Sequence, residues 1–77
     1  MKNTWSEGLI NKTREMTGDG CMLKSLNHEY GFYFSTEKGS IEIHGVDDSS
    51  FMPAPTKEVI ATFSDIEEMI AAGWVID

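Results

Sequence analysis

Apolar residues recur at helical spacing near the start of the chain. Trp5, Leu9, Ile10, Thr13 and Met16 fall on one face, with Lys12, Arg14 and Glu15 elsewhere on the wheel. Thr4 and Glu7 form the pair T-x-x-E, in which each side chain satisfies an orphan backbone N–H of the other, so the pattern predicts a first helix capped at Thr4. Gly18-Asp19-Gly20 then supplies a stop, because glycine accepts the left-handed conformation that ends a helix.

The period changes from helical to alternating in the middle of the chain. Residues 21–26 predict a short first strand, and Asn27 with His28 a turn. Residues 29–36 carry the strongest strand signal, with Tyr30, Phe32 and Phe34 on one face and Gly31, Tyr33 and Ser35 on the other. Glu37-Lys38-Gly39 reads as a hairpin loop with Gly39 at the left-handed position. A third strand follows over 40–46, with Ile41 and Ile43 inward and Glu42 and His44 outward. Cross-strand pairing through the hairpin is expected to gather Phe32, Phe34, Ile41 and Ile43 on one sheet face.

Residues 46–56 break the alternation. A polar run, Asp47-Asp48-Ser49-Ser50, precedes Phe51-Met52-Pro53-Ala54-Pro55, and neither proline suits a central strand, so a long irregular loop is expected. Residues 57–63 predict a fourth strand rich in β-branched side chains. Ser64 and Glu67 make a second S-x-x-E pair heading a helix whose Ile66, Met69 and Ile70 face inward. Asp65, Glu67 and Glu68 complement the positive end of its dipole. Gly73 ends it, and Trp74-Val75-Ile76 forms an apolar tail suited to a final edge strand. The sum is an α+β fold: one domain over 1–77, an antiparallel sheet of about four strands, and an N-terminal and a C-terminal helix packed on one face.

Composition narrows the functions this frame can serve. The 77 residues hold 13 Asp plus Glu against 6 Lys plus Arg, a formal net charge of -7. The basic residues Lys2, Lys12, Arg14, Lys24, Lys38 and Lys57 are scattered, whereas phosphate binding needs them clustered; direct nucleic-acid binding is therefore not expected. An anionic membrane surface is disfavoured for the same reason. The balance favours a protein partner with a basic surface, or simply keeps a small domain soluble. The single Cys21 precludes an internal disulfide, and no apolar run suits a leader peptide or a bilayer span, so a cytoplasmic protein is expected.

No chemistry-bearing motif stands out. Cys21, His28, Glu29, His44, Asp47 and Asp48 lack the paired spacing of zinc ligands. Cys21 with His28 or His44 is the one conceivable nucleophile–base pair, weighed against an inert core cysteine. Asp47-Asp48 reads as a turn and Glu67-Glu68 as a solvated helix face, and Gly18-x-Gly20 lacks the Lys-Ser/Thr of a phosphate loop. No cofactor, metal or catalytic residue is predicted.

What remains is surface. Glu42, Asp47, Asp48, Asp65 and Glu68 are the candidate electrostatic contacts, and if they converge they form an acidic stripe able to imitate spaced phosphates. Phe51, Met52 and Tyr33 are the candidate apolar anchors, Tyr33 being placed on the sheet face that two helices would leave open; Phe51 alternatively plugs the core. The expected function is a small acidic, non-enzymatic protein that inhibits or modulates a cytosolic protein partner. One such partner is a nucleic-acid-handling enzyme engaged by charge mimicry, in the manner of phage or mobile-element inhibitors. The alternative is a structural homodimer joined through the open face or the Trp74-Val75-Ile76 edge.

Overall fold

The computed structural model describes residues 5–49 and 51–77. Its elements are α1 (Glu7–Met16), β1 (Met22–Lys24), β2 (Tyr30–Ser35), β3 (Ile41–Asp47), β4 (Ala54–Phe63), α2 (Ile66–Ala71) and β5 (Val75–Ile76). The strands form one five-stranded antiparallel sheet in the order β4-β3-β2-β1-β5, an α+β architecture. The fifth strand is the apolar tail, paired to β1 through Leu23↔Ile76 and Lys24↔Val75.

Both helices start one or two residues later than their first capping signals. Thr4 lies outside the described residues; Ser6 caps α1, its hydroxyl accepting from the Leu9 N–H at 3.2 Å. Trp5 is drawn off the helix because its Nε1–H donates to the Gly73 carbonyl at 2.7 Å. In α2 the cap is Asp65, which accepts from the Glu68 N–H at 2.8 Å, while Glu68 accepts from the Ser64 N–H at 2.7 Å. Glu67, the expected box partner, is engaged instead by Arg14 of α1 through two hydrogen bonds of 2.7 and 2.9 Å. This ion pair raises the Arg14 pKa and lowers that of Glu67.

The register overturns one expectation. Tyr33 pairs with Ile43 and Ser35 with Ile41, whereas Phe32 pairs with His44 and Phe34 with Glu42. Directly opposed residues share a face, so Phe32 and Phe34 lie on the face away from Ile41 and Ile43. The cause is the hairpin closed by Thr36 and Ser40: its three-residue loop sets odd positions against odd ones, one step from the pairing expected.

The core forms on the Ile41–Ile43 face. Leu23, Ile41, Ile43, Met69, Ile70 and Trp74 make one buried cluster, with Ile10 of α1, Tyr33, Ala61, Phe63, Ile66 and Ile76 packed against it. Phe32 and Val75 are also buried but stand outside this cluster. The expected long loop contracts: β3 runs on to Asp47 and β4 begins at Ala54, which pair, with Asp48, Ser49 and 51–53 at the hairpin tip. Pro55 is accommodated because β4 is an edge strand, and two register shifts against β3 bend it.

The two shorter hairpins are built alike. In one, Thr36 N–H donates to Ser40 O, Gly39 N–H donates to Thr36 O, and Thr36 Oγ1 accepts from the Lys38 and Ser40 N–H groups. Ser25, Asn27, His28 and Glu29 repeat every one of these bonds. The left-handed position is Gly39 in the first (φ 88°) and His28 in the second (φ 67°). A β-carbon there is strained by roughly 1–2 kcal/mol. His28→Gly is therefore expected to raise stability by about 0.5–1 kcal/mol after the added chain entropy is deducted, read as a higher urea midpoint with an unchanged slope.

Candidate functional site

The register gives the second face of the sheet its composition. Met22, Phe32, His44 and Val59 form one row across β1 to β4, Phe34, Glu42 and Thr62 a second, and Lys24 with Tyr30 a third. Neither helix contributes to this face the side chains that fill the core. Phe32 is buried by its neighbours, while Tyr30 is 52 % and Val59 39 % exposed. β2 is thus apolar on both sides: Tyr33 and Gly31 toward the helices, and Tyr30, Phe32 and Phe34 on the other face, where Tyr30 is exposed, Phe34 half-buried and Phe32 buried.

Polar side chains at the centre of this face are tied down. The His44 ring meets Phe34 edge-on at 4.9 Å. Its Nδ1 lies 2.8 Å from the Thr56 carbonyl, which can only accept, so Nδ1 carries a proton; Nε2 lies 3.3 Å from Glu42 Oε1. His44 thereby holds the irregular part of β4 against β3. Cys21 is engaged elsewhere, its Sγ within reach of Gly18 N and Met16 O, so the conceivable Cys21–His44 pair is not assembled. Among the described residues no three His, Cys, Asp or Glu side chains gather as a metal site, and no helix is long and apolar enough to cross a membrane.

At one end of the open face the hairpin tip completes a groove of about 630 Å³. Met22, Tyr30 and Val46 from three adjacent strands line it together with Phe51, and Asp48 and Asp77 add carboxylates. Phe51 is 98 % exposed and Met52 65 %, so Phe51 does not plug the core. At the β5 side Lys24 sits 5.3 Å from the Trp5 ring centroid and 3.8 Å from the Asp77 carboxylate.

The sequence-derived contact residues separate into three places. Asp47 and Asp48 stand at the tip, where Asp48 lines the groove and Asp47 does not. Asp47 accepts from both the N–H (2.9 Å) and the hydroxyl (2.7 Å) of Ser49, the hydroxyl bond being the larger cause of a pKa below the ordinary carboxylate range. Glu42 lies on the open face beside His44. Asp65 and Glu68 are occupied at the start of α2, beyond the far end of β4. Six steps of β3 separate the Asp47 and Ile41 ends of the hairpin, about 20 Å. The five acids therefore do not form one stripe. Tyr33 belongs to the helix-covered side, packed against the core, where burial first and Asp19 second raise its pKa. Trp74 and Val75 are buried.

Tyr30, Met22 and Val46 are the groove residues that sequence reasoning passed over. Their signal was present in the doubly apolar pattern of β2, and only the correct register turns that pattern into an uncovered face. The fold and site together define a small sheet protein with helices on one side and an aromatic, acid-rimmed face on the other. Comparison with protein-family models, curated proteins and solved structures finds no significant match to this chain.

Proposed function

We propose that this is a non-enzymatic binding protein that modulates a cytosolic protein partner by docking the open face of its sheet. The observation that carries the reading is the apolar surface on the face opposite the core cluster, where Tyr30 is exposed beside the partly exposed Phe34 and shares a groove with the exposed Phe51. Exposed apolar patches of this kind mark interaction sites, and aromatic side chains are the commonest anchors within them. The net charge of -7 contributes mainly by steering a basic partner toward the face. A nucleic-acid-handling enzyme, whose own groove is lined with Lys and Arg, is a partner of this chemistry.

Capture from the source cytosol with tagged variants tests the reading. Tyr30→Lys, which buries a charge in the interface without touching the core, is expected to reduce recovery of a stoichiometric partner by about tenfold or more. Met16→Lys, at a side chain 60 % exposed on α1, is expected to leave recovery unchanged. Equal recovery with wild type and Tyr30→Lys would remove the open face as the docking site.

A further inference from the structure

Resting on that reading, we infer that the groove at the hairpin tip takes a cationic amphipathic segment of the partner, its apolar side chains on Met22, Tyr30 and Val46 and its Lys or Arg against Asp48 on the rim, with Asp47 next to it in the chain. The floor is apolar and drawn from three strands, with Phe51 as a projecting wall. Met22 adds an unbranched, polarisable side chain that adapts to irregular apolar shapes. Such a floor selects apolar side chains but not their sequence.

The rim selects charge. No basic side chain pairs with Asp47 or Asp48 among the described residues, and Lys24, at the β5 side of this face, is paired with Asp77. The bonds from Ser49 hold the Asp47 carboxyl below the ordinary carboxylate range. An uncompensated carboxylate at the mouth of an apolar groove, with a second one adjoining it in the chain, complements a segment in which Lys or Arg adjoins apolar positions. The two carboxylates also disfavour the other obvious occupant, a second copy of this chain. A two-fold contact through the groove would bring two such acid pairs into one interface between two bodies of -7 each.

The test uses the full chain, 15N-labelled, titrated with three synthetic peptides of equal length: alternating Lys and Leu blocks of amphipathic pattern, the same pattern with Ser for Leu, and with Glu for Lys. The Lys/Leu peptide is expected to shift the amides of Met22, Tyr30, Val46 and Asp48 to saturation. Its affinity should fall about tenfold or more in Asp47→Lys/Asp48→Lys and decline with added salt. Asp47→Asn/Asp48→Asn, a milder change at the same exposed tip, should show a smaller fall in the same direction. The Ser and Glu peptides should bind weakly. The inference is overturned if the Lys/Leu shifts lie elsewhere, if the Glu/Leu or Lys/Ser peptide binds equally well, or if the free protein's diffusion shows that a second copy already fills the groove. Loss of partner capture in Tyr30→Lys together with unselective peptide binding would sink this inference and leave the docking face standing. Selective peptide binding with capture indifferent to Tyr30→Lys would sink the docking face instead.

Discussion

Gly31→Ala is expected to destabilise the protein by about 3 kcal/mol, lowering the melting temperature by roughly 12–24 °C for a domain of this size. Gly31 lies in β2 opposite Leu23, on the face that carries the core. A β-carbon built there overlaps Ile43 Cγ2, comes within 3.0 Å of the His44 carbonyl and 3.4 Å of Ile60 Cδ1. Ile43 is fully buried and β-branched, so it has no free rotamer to turn into, and the His44 carbonyl is backbone. The backbone of Gly31 is not in the left-handed region, so the cost comes from packing alone. Gly8→Ala is the matched control. Nothing lies within 4 Å of a β-carbon at Gly8, in the first turn of α1, and the change should stabilise by about 0.5 kcal/mol. Thermal unfolding of the two variants checks both signs; a Gly31→Ala melting point within a degree or two of wild type would contradict the assigned packing.

Thr13→Val should cost about 2 kcal/mol although the two side chains have the same shape. Thr13 is the fully buried side chain of α1, and its hydroxyl is used twice: it donates to the Leu9 carbonyl at 2.8 Å and accepts from the Ile76 N–H at 3.0 Å. Leu9 retains its helical partner when the hydroxyl is lost, but the Ile76 N–H is left without its acceptor. β5 is two residues long and is secured otherwise by β1, so the loss should be felt there first. Amide exchange at Ile76 should accelerate more than exchange in β2 or β3. Unaltered exchange at Ile76 would show that the Thr13 contact does not hold the edge.

Much of the architecture was legible because periodicity is local. The helical spacing of Leu9, Ile10 and Thr13 and the alternation in β2 and β3 each arise within one element, and the elements fall where the patterns put them. What was not legible depends on pairs of elements. Phe32 and Phe34 were assigned to the core because their alternation is regular. Which face of β2 meets Ile41 and Ile43 is set by the three-residue loop between Thr36 and Ser40, and one step of register exchanges the faces. The cap of α2 was ambiguous for a similar reason: S-x-x-E and D-x-x-E overlap at Ser64 and Asp65, and the contact of Glu67 with Arg14, 53 residues away, decides between them. Asp47, Asp48, Asp65 and Glu68 are exposed and Glu42 partly so, but their separation by the length of β3 is a property of the sheet that composition does not contain. The same register that removed Tyr33 from the candidate contact surface brought Tyr30 onto it.

On the proposed reading, the partner covers the open sheet face and the hairpin tip. Methionine oxidation in the isolated complex tests it directly, because Met52 at the tip (65 % exposed) and Met16 on α1 (60 % exposed) begin almost equally accessible. With dilute peroxide and mass-spectrometric readout, Met52 should be strongly protected by the partner while Met16 oxidises at the rate of the free protein. Protection of Met16 with Met52 still reactive would place the partner on the helical side and contradict the account.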